Sequence, residues 1–231
     1  MNKLKKTLMD IKRTGIDFIL TRFFQSYNKI SDLDILVKGS DFEKLIIAMQ
    51  NLGYEEFSHD QALGGRIKGM QKNLVKKGRI KIDLHKDFTW RKSKYIDAKI
   101  IWDSKSKDKI GEIEVYRPSN KVNTFLVYVN ILFEKTYITA DERNILKHKK
   151  TLIEKEFITQ AKKHNWEVSL RKLISWLEKT KNLDFPVFLP LSLVLYTYFE
   201  KFVKERRIDV TSFLYYVFFR TRYFITGKLP Y

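Results

Sequence analysis

Apolar residues first recur at helical spacing. Leu4, Leu8 and Ile11 fall four and three residues apart with lysines between them, which predicts a helix over residues 3–14, and Gly15 suits its end. The period then shortens to two. Ile16 to Leu20 alternates in polarity and reads as a strand, and Leu33 to Val37 reads as a second one closed by Gly39-Ser40. Ser40 and Glu43 have the spacing of a capping box, which predicts a helix from Asp41 to about Asn51 that buries Phe42, Leu45, Ile46 and Met49 and stops at Gly53. From Glu55 to Asp87 the pattern predicts strands joined by turns at Gly64-Gly65 and Lys77-Gly78. Arg79 to Leu84 alternates as a half-buried strand should, and Ile110 to Tyr116 does the same.

Pro118 marks a change of character. Beyond it the pattern predicts helices: the apolar run Phe125–Glu134, a capping box at Thr139 and Glu142, then Glu154–Lys162, Val168–Glu178, Leu191–Lys204 and Val210–Phe224. Phe185 to Phe199 is almost wholly apolar, but a bilayer span needs about 20 such residues, so a buried helix is expected there. The expected class is α+β. A small mixed β-sheet with flanking helices occupies residues 1–117, and an all-helical C-terminal domain occupies 118–231.

Composition narrows the chemistry. With no cysteine, disulfides, thiolate catalysis and zinc–thiolate sites are excluded. Met1-Asn2-Lys3-Leu4-Lys5-Lys6 leads into an amphipathic stretch rather than an unbroken apolar one, so no secretory signal and a cytoplasmic location are expected. The net charge is +18, divided evenly between the parts before and after Pro118. A field of that sign attracts nucleotides, RNA, DNA or an anionic membrane surface, and it also keeps a protein soluble.

The string Ser31-Asp32-Leu33-Asp34-Ile35-Leu36-Val37 carries the chemistry. Residues two apart on a strand share a face, so Asp32 and Asp34 sit side by side. Like charges that close resist ionisation unless a cation lies between them, and an oxygen-rich site of this kind suits Mg²⁺ or Mn²⁺. Asp83, in Ile82-Asp83-Leu84-His85, is a third carboxylate on another predicted strand. It either completes a two-metal site for phosphoryl transfer or pairs with Arg79 or Lys81. The stretch Arg66 to Lys81 is basic, and no acidic residue occurs from Gln61 to Ile82. It reads as a phosphate- or RNA-guiding surface or as a lysine-protected edge.

The ordered set Asp32-Leu33-Asp34-Ile35-Leu36-Val37, Leu52-Gly53-Tyr54 and Asp83-Leu84-His85 resembles the polymerase-beta nucleotidyltransferase superfamily, in particular its nucleotidyltransferase-like bacterial and archaeal members. The resemblance implies a metal-dependent enzyme that moves NMP from an NTP to an acceptor, whether RNA or tRNA, protein or small molecule. It implies Asp32, Asp34 and Asp83 as metal ligands and catalytic residues, and Thr21, Arg22, Ser31 and His85 at the nucleotide. Where the family has a glycine before its phosphate-binding serine, this chain has Leu20 before Thr21. That departure supports an alternative, a non-catalytic nucleic-acid-binding or interaction module on the same fold. A membrane-surface protein using the basic face and C-terminal aromatics is a third reading. In the helical part, Asn130, Glu134, Asp141 and Arg143 lie on or near the first helices, where Glu134 or Arg143 is a candidate for acceptor choice or for local ion pairs, and the aromatics Phe213 to Phe219 are candidates for base stacking or for a core.

Overall fold

The computed structural model of the chain describes residues 3–21, 32–57, 71–90, 93–147, 155–180 and 187–205. The expected helix at 210–224, its aromatics, the Gly64-Gly65 turn, Arg22 and Ser31 lie outside the described residues, as do the side chains of Glu134 and Asp141. Two compact units are formed, Met1–Val127 with Asn144–Leu152, and Tyr128–Arg143 with Ile153–Tyr231.

The first unit is built on a mixed sheet of seven strands among the described residues. In chain order these are β1 (Phe18–Leu20), β2 (Asp32–Val37), β3 (Glu55–Glu56), β4 (Gln71–Val75) and β5 (Lys81–His85), then, after a separate β6/β7 ribbon (Phe88–Trp90 and Ser93–Ile96), β8 (Ser106–Ile110) and β9 (Ile113–Arg117). Their spatial order is β3-β4-β5-β2-β1-β9-β8. The pairs β2/β5 and β1/β9 are parallel and the other pairs are antiparallel.

Helices α1 (Lys3–Arg13) and α2 (Phe42–Asn51) bury their apolar stripes against one face of this sheet. Leu4, Leu8 and Ile11 of α1 and Phe42, Leu45, Ile46 and Met49 of α2 share a core with Phe18, Leu20, Leu33, Ile35, Val37, Leu74, Ile82 and Leu84. Strand alternation therefore assigns Thr21, Asp32, Asp34, Lys81, Asp83 and His85 to the opposite face. A buried polar group locks α1 in place. Thr7 Oγ1 accepts the amide of Ile80 at 3.0 Å, at the entrance to β5.

Three elements escape the periodicity: the ribbon, a short helix α3 (Ala98–Asp103), and β8. Strand β8 is a sheet edge whose sequence, Ser-Lys-Asp-Lys-Ile, buries only Ile110, so no alternation could mark it. Ser40 and Glu43 do not form a capping box. Residues Gly39–Asp41 wind into a 3₁₀ turn, Asp41 becomes the N-cap, and no side chain caps the helix.

Among its described residues the second unit is helical apart from one two-residue strand pair. Helix α4 (Asn120–Asn130), within which the boundary between the units falls, ends in a π turn over Ile131–Lys135, where the sequence pattern predicts one uninterrupted helix to Glu134. Strand β10 (Tyr137–Ile138) pairs with β11 (Val187–Phe188), and between them run α5 (Ala140–Lys147), α6 (Lys155–Lys163) and α7 (Glu167–Lys179). Helix α8 (Leu191–Lys204) follows. Trp166 is fully buried and meets Phe133 edge to face at 5.4 Å. The capping box at Thr139 and Glu142 is present: the Thr139 amide donates to Glu142 Oε2 at 3.0 Å and the Glu142 amide to Thr139 Oγ1 at 3.3 Å.

Among the described residues no helix is long and apolar enough to cross a membrane.

Candidate active site

Strands β1, β2 and β5 lie side by side, and their register decides which side chains meet. The β2/β5 pairing sets Asp34 opposite Asp83 and Asp32 opposite Lys81. In a parallel pair, directly opposite residues share a face and stand about 4.8 Å apart across the strands. On the other side of β2, the Thr21 amide donates to the Asp34 carbonyl at 3.0 Å, which extends the β1/β2 ladder and brings Thr21 onto the same face.

Burial grades across this group. The Asp83 side chain is 7% exposed, that of Asp34 20% and that of Asp32 43%, so the cluster runs from the sheet interior to the surface. Burial raises the proton affinity of Asp83, and repulsion by Asp34 adds to it, against the pull of Lys81. Asp83 Oδ1 is buried and makes no hydrogen bond, although the Lys81 ammonium stands 3.0 Å away.

Lys81 is the cation at the centre of the group. Its Nζ lies 3.3 Å from Asp83 Oδ2 and 3.5 Å from Asp32 Oδ2. Burial draws its proton affinity down, but the two carboxylates more than compensate and hold it above its ordinary value. Asp34, on the same face, pairs with His85. Its Oδ1 is 3.0 Å from His85 Nε2, and the His85 ring lies flat on Phe88 with centroids 5.4 Å apart. Among the described residues no group of three or more histidines and carboxylates stands arranged to hold a metal ion.

Of the residues singled out from the sequence, Asp32, Asp34, Asp83, Thr21 and His85 thus share one face of three adjacent strands. Thr21 is buried, and its hydroxyl has no hydrogen-bond partner among the described residues. Leu20 is fully buried in the core beneath α1 and α2, on the face away from Asp34. Arg79 takes no part in the cluster. Its Nε donates to Asp10 Oδ2 of α1 at 2.6 Å. In the second unit, Asn130 donates to Glu142 at 3.4 Å and Arg143 is buried.

Lys81 pairs with Asp83, one of the two alternatives the sequence left open for that carboxylate, and it also reaches Asp32 across the sheet. Its spacing of two from Asp83 was visible as a signal, but its position opposite Asp32 depends on how β2 and β5 are staggered.

The family described as uncharacterised nucleotidyltransferase matches residues 28–180, well over half of the chain and the part that contains all three aspartates. The chain belongs to this family. No curated protein sequence gives a match. Among solved structures the chain is similar to the solution structure of the antibiotic-resistance factor ANT(2'')-Ia, at 12% identity and a TM-score of 0.46, with 76% of this chain and 92% of that one covered. It is also similar to the lincomycin-bound lincosamide antibiotic adenylyltransferase LnuA, at 14% identity and a TM-score of 0.41, with 66% and 99% covered.

Proposed function

We propose that this chain is a two-metal nucleotidyltransferase, moving NMP from an NTP to an acceptor, with Asp32, Asp34 and Asp83 as ligands of Mg²⁺ or Mn²⁺. The observation that carries this reading is the parallel pairing of β2 with β5, which sets Asp34 opposite Asp83 inside the stretch that matches the family. The donor set suits a hard divalent ion. Three carboxylates share a face, and the most buried of them, Asp83, is repelled by Asp34 and has only the Lys81 ammonium against its oxygens. Bound there, such an ion would offset charge on the phosphoryl oxygens.

The remaining steps belong to the chain's own groups. Asp83 takes the proton of the acceptor as the acceptor's oxygen attacks the α-phosphorus, and the bond to pyrophosphate breaks. The Thr21 hydroxyl, with Arg22 and Ser31, holds phosphate oxygens. His85 acts at the nucleotide site through its contact with Asp34. Residues 1–117 carry the reaction and 118–231 select the acceptor. The basic charge favours RNA as that acceptor, and the absence of cysteine suits the cytosol. Leu20 was the support for a non-catalytic module. Its side chain is packed on the helix side of β1, so it does not crowd the Thr21–Asp34 face.

The test is to incubate the protein with each α-labelled NTP, Mg²⁺ or Mn²⁺, and total cellular RNA. We expect label on an RNA band, reduced to background in Asp32→Ala. No transfer and no metal-dependent NTP binding by the unmodified protein would leave the binding module as the better reading.

A further inference from the structure

The Asp32–Lys81 register has a consequence for how a metal enters. Lys81 and Asp83 are two apart on β5 and share its face, and Lys81 is paired across the sheet with Asp32. The four-carbon stem then delivers Nζ to within 3.0 and 3.3 Å of the two Asp83 oxygens and 3.5 Å of Asp32 Oδ2. These are oxygens that a divalent ion bound by Asp32 and Asp83 would need. A metal–oxygen bond is about 2.1 Å long for Mg²⁺. An ion on those oxygens and an ammonium in its present place would be within about 4 Å of one another, two like charges at contact.

We propose that the Lys81 ammonium is the resident counter-cation of Asp32 and Asp83, and that a divalent ion binds only by displacing it. The proposal rests on the metal reading of the three aspartates. Lys81 neutralises one of three negative charges while no metal is bound, and a divalent ion that takes its place brings one more positive charge to the same oxygens. It also holds Asp32 and Asp83 together in the metal-free protein. Lysine suits the task because its stem has several rotatable bonds and its charge is a compact point, so it can swing outward without disturbing β5. Once displaced, the ammonium stands at the rim of the site, where a polyphosphate would be its next anion.

The experiment uses the full chain and Mn²⁺ alone, titrated and followed by the electron paramagnetic resonance signal of the free ion. Lys81→Met should bind Mn²⁺ at least about tenfold more tightly than the unmodified protein, because the competitor is gone. Lys81→Arg should stay near the unmodified value. Lys107→Met, which removes an equal charge from β8, should change affinity little. A second measurement needs no variant. Saturating Mn²⁺ should increase acylation of Lys81 by an amine-reactive ester, read by mass spectrometry of the Lys81 peptide.

Equal or weaker Mn²⁺ binding by folded Lys81→Met, or acylation that does not rise with Mn²⁺, overturns the competition while leaving the metal site intact. Absence of Mn²⁺ binding in every variant removes the metal reading, and the competition falls with it.

Discussion

At the scale of single residues, the charge that holds the first unit together is Asp10, on α1. It is buried, accepts the Arg79 guanidinium at 2.6 Å and the Tyr54 hydroxyl at 3.2 Å, and so ties α1 to the turn before β5 and to the end of α2. Burial alone would raise its proton affinity, but the hydrogen bond and charge of Arg79 outweigh that and hold it below the usual 3.8. A carboxyl depressed in the folded state stabilises the fold at pH values above its unfolded value, and that contribution drains away as the pH falls through the lower folded value. Urea unfolding of Asp10→Asn at pH 7 should therefore reveal a loss of about 1–3 kcal/mol, and the difference from the unmodified protein should shrink below pH 4. A difference that does not vary with pH would mean the hydrogen bonds, not the charge, are what matter. The same proximity of β5 to α1 explains why Arg79, an apparent partner for Asp83 when only the strand is read, is engaged elsewhere.

At the scale of elements, helix ends reveal what local spacing can and cannot convey. Thr139 and Glu142 cap α5 as their spacing predicts, because Glu142 is buried and is held as well by Lys135 at 2.9 Å. Ser40 and Glu43 have the same spacing but lie exposed, and a 3₁₀ turn takes the cap's place. Helix α7 has no local side-chain cap at its N-terminus. Its Val168 and Ser169 amides donate to Glu200 of α8 at 2.9 and 2.7 Å. In the sequence, Glu200-Lys201 looks like the polar stop after an apolar run. In the structure both are buried, and Lys201 donates to the His164 carbonyl at 2.8 Å and to Glu205. Strand β2 and the alternation around Asp83 were legible because their information is local. The Glu200 cap and the contact of Lys81 with Asp32 were not, since each requires knowing which elements become neighbours. Glu200→Ala should cost about 1–3 kcal/mol, and paired with Ser169→Ala in a double-mutant cycle it should give a coupling above ~0.5 kcal/mol, measured by chemical denaturation. Additive losses would mean that the two groups stabilise the helix independently.

At the scale of the whole molecule, an excess of +18 dispersed along the chain predicts salt-sensitive contact with a polyanion. Binding to mixed-sequence RNA, measured by fluorescence anisotropy between 50 and 200 mM salt, should weaken by at least about tenfold. A flat salt response would confine the charge to a solubilising role. The central sheet, for its part, is a partition with separate duties on its two sides. Residues facing one way form the core with α1 and α2, and those facing the other form the polar cluster of the proposed site, so chain neighbours such as Leu20 and Thr21 meet unrelated surroundings. Restoring a glycine at position 20 would therefore not make room for a ligand. Leu20→Gly would hollow out the packing under α1 and α2, at a cost of roughly 3–5 kcal/mol, and a melting curve should drop well before any nucleotide titration improves. The substitution that brings this position to the family pattern would thus injure the scaffold without opening the polar face.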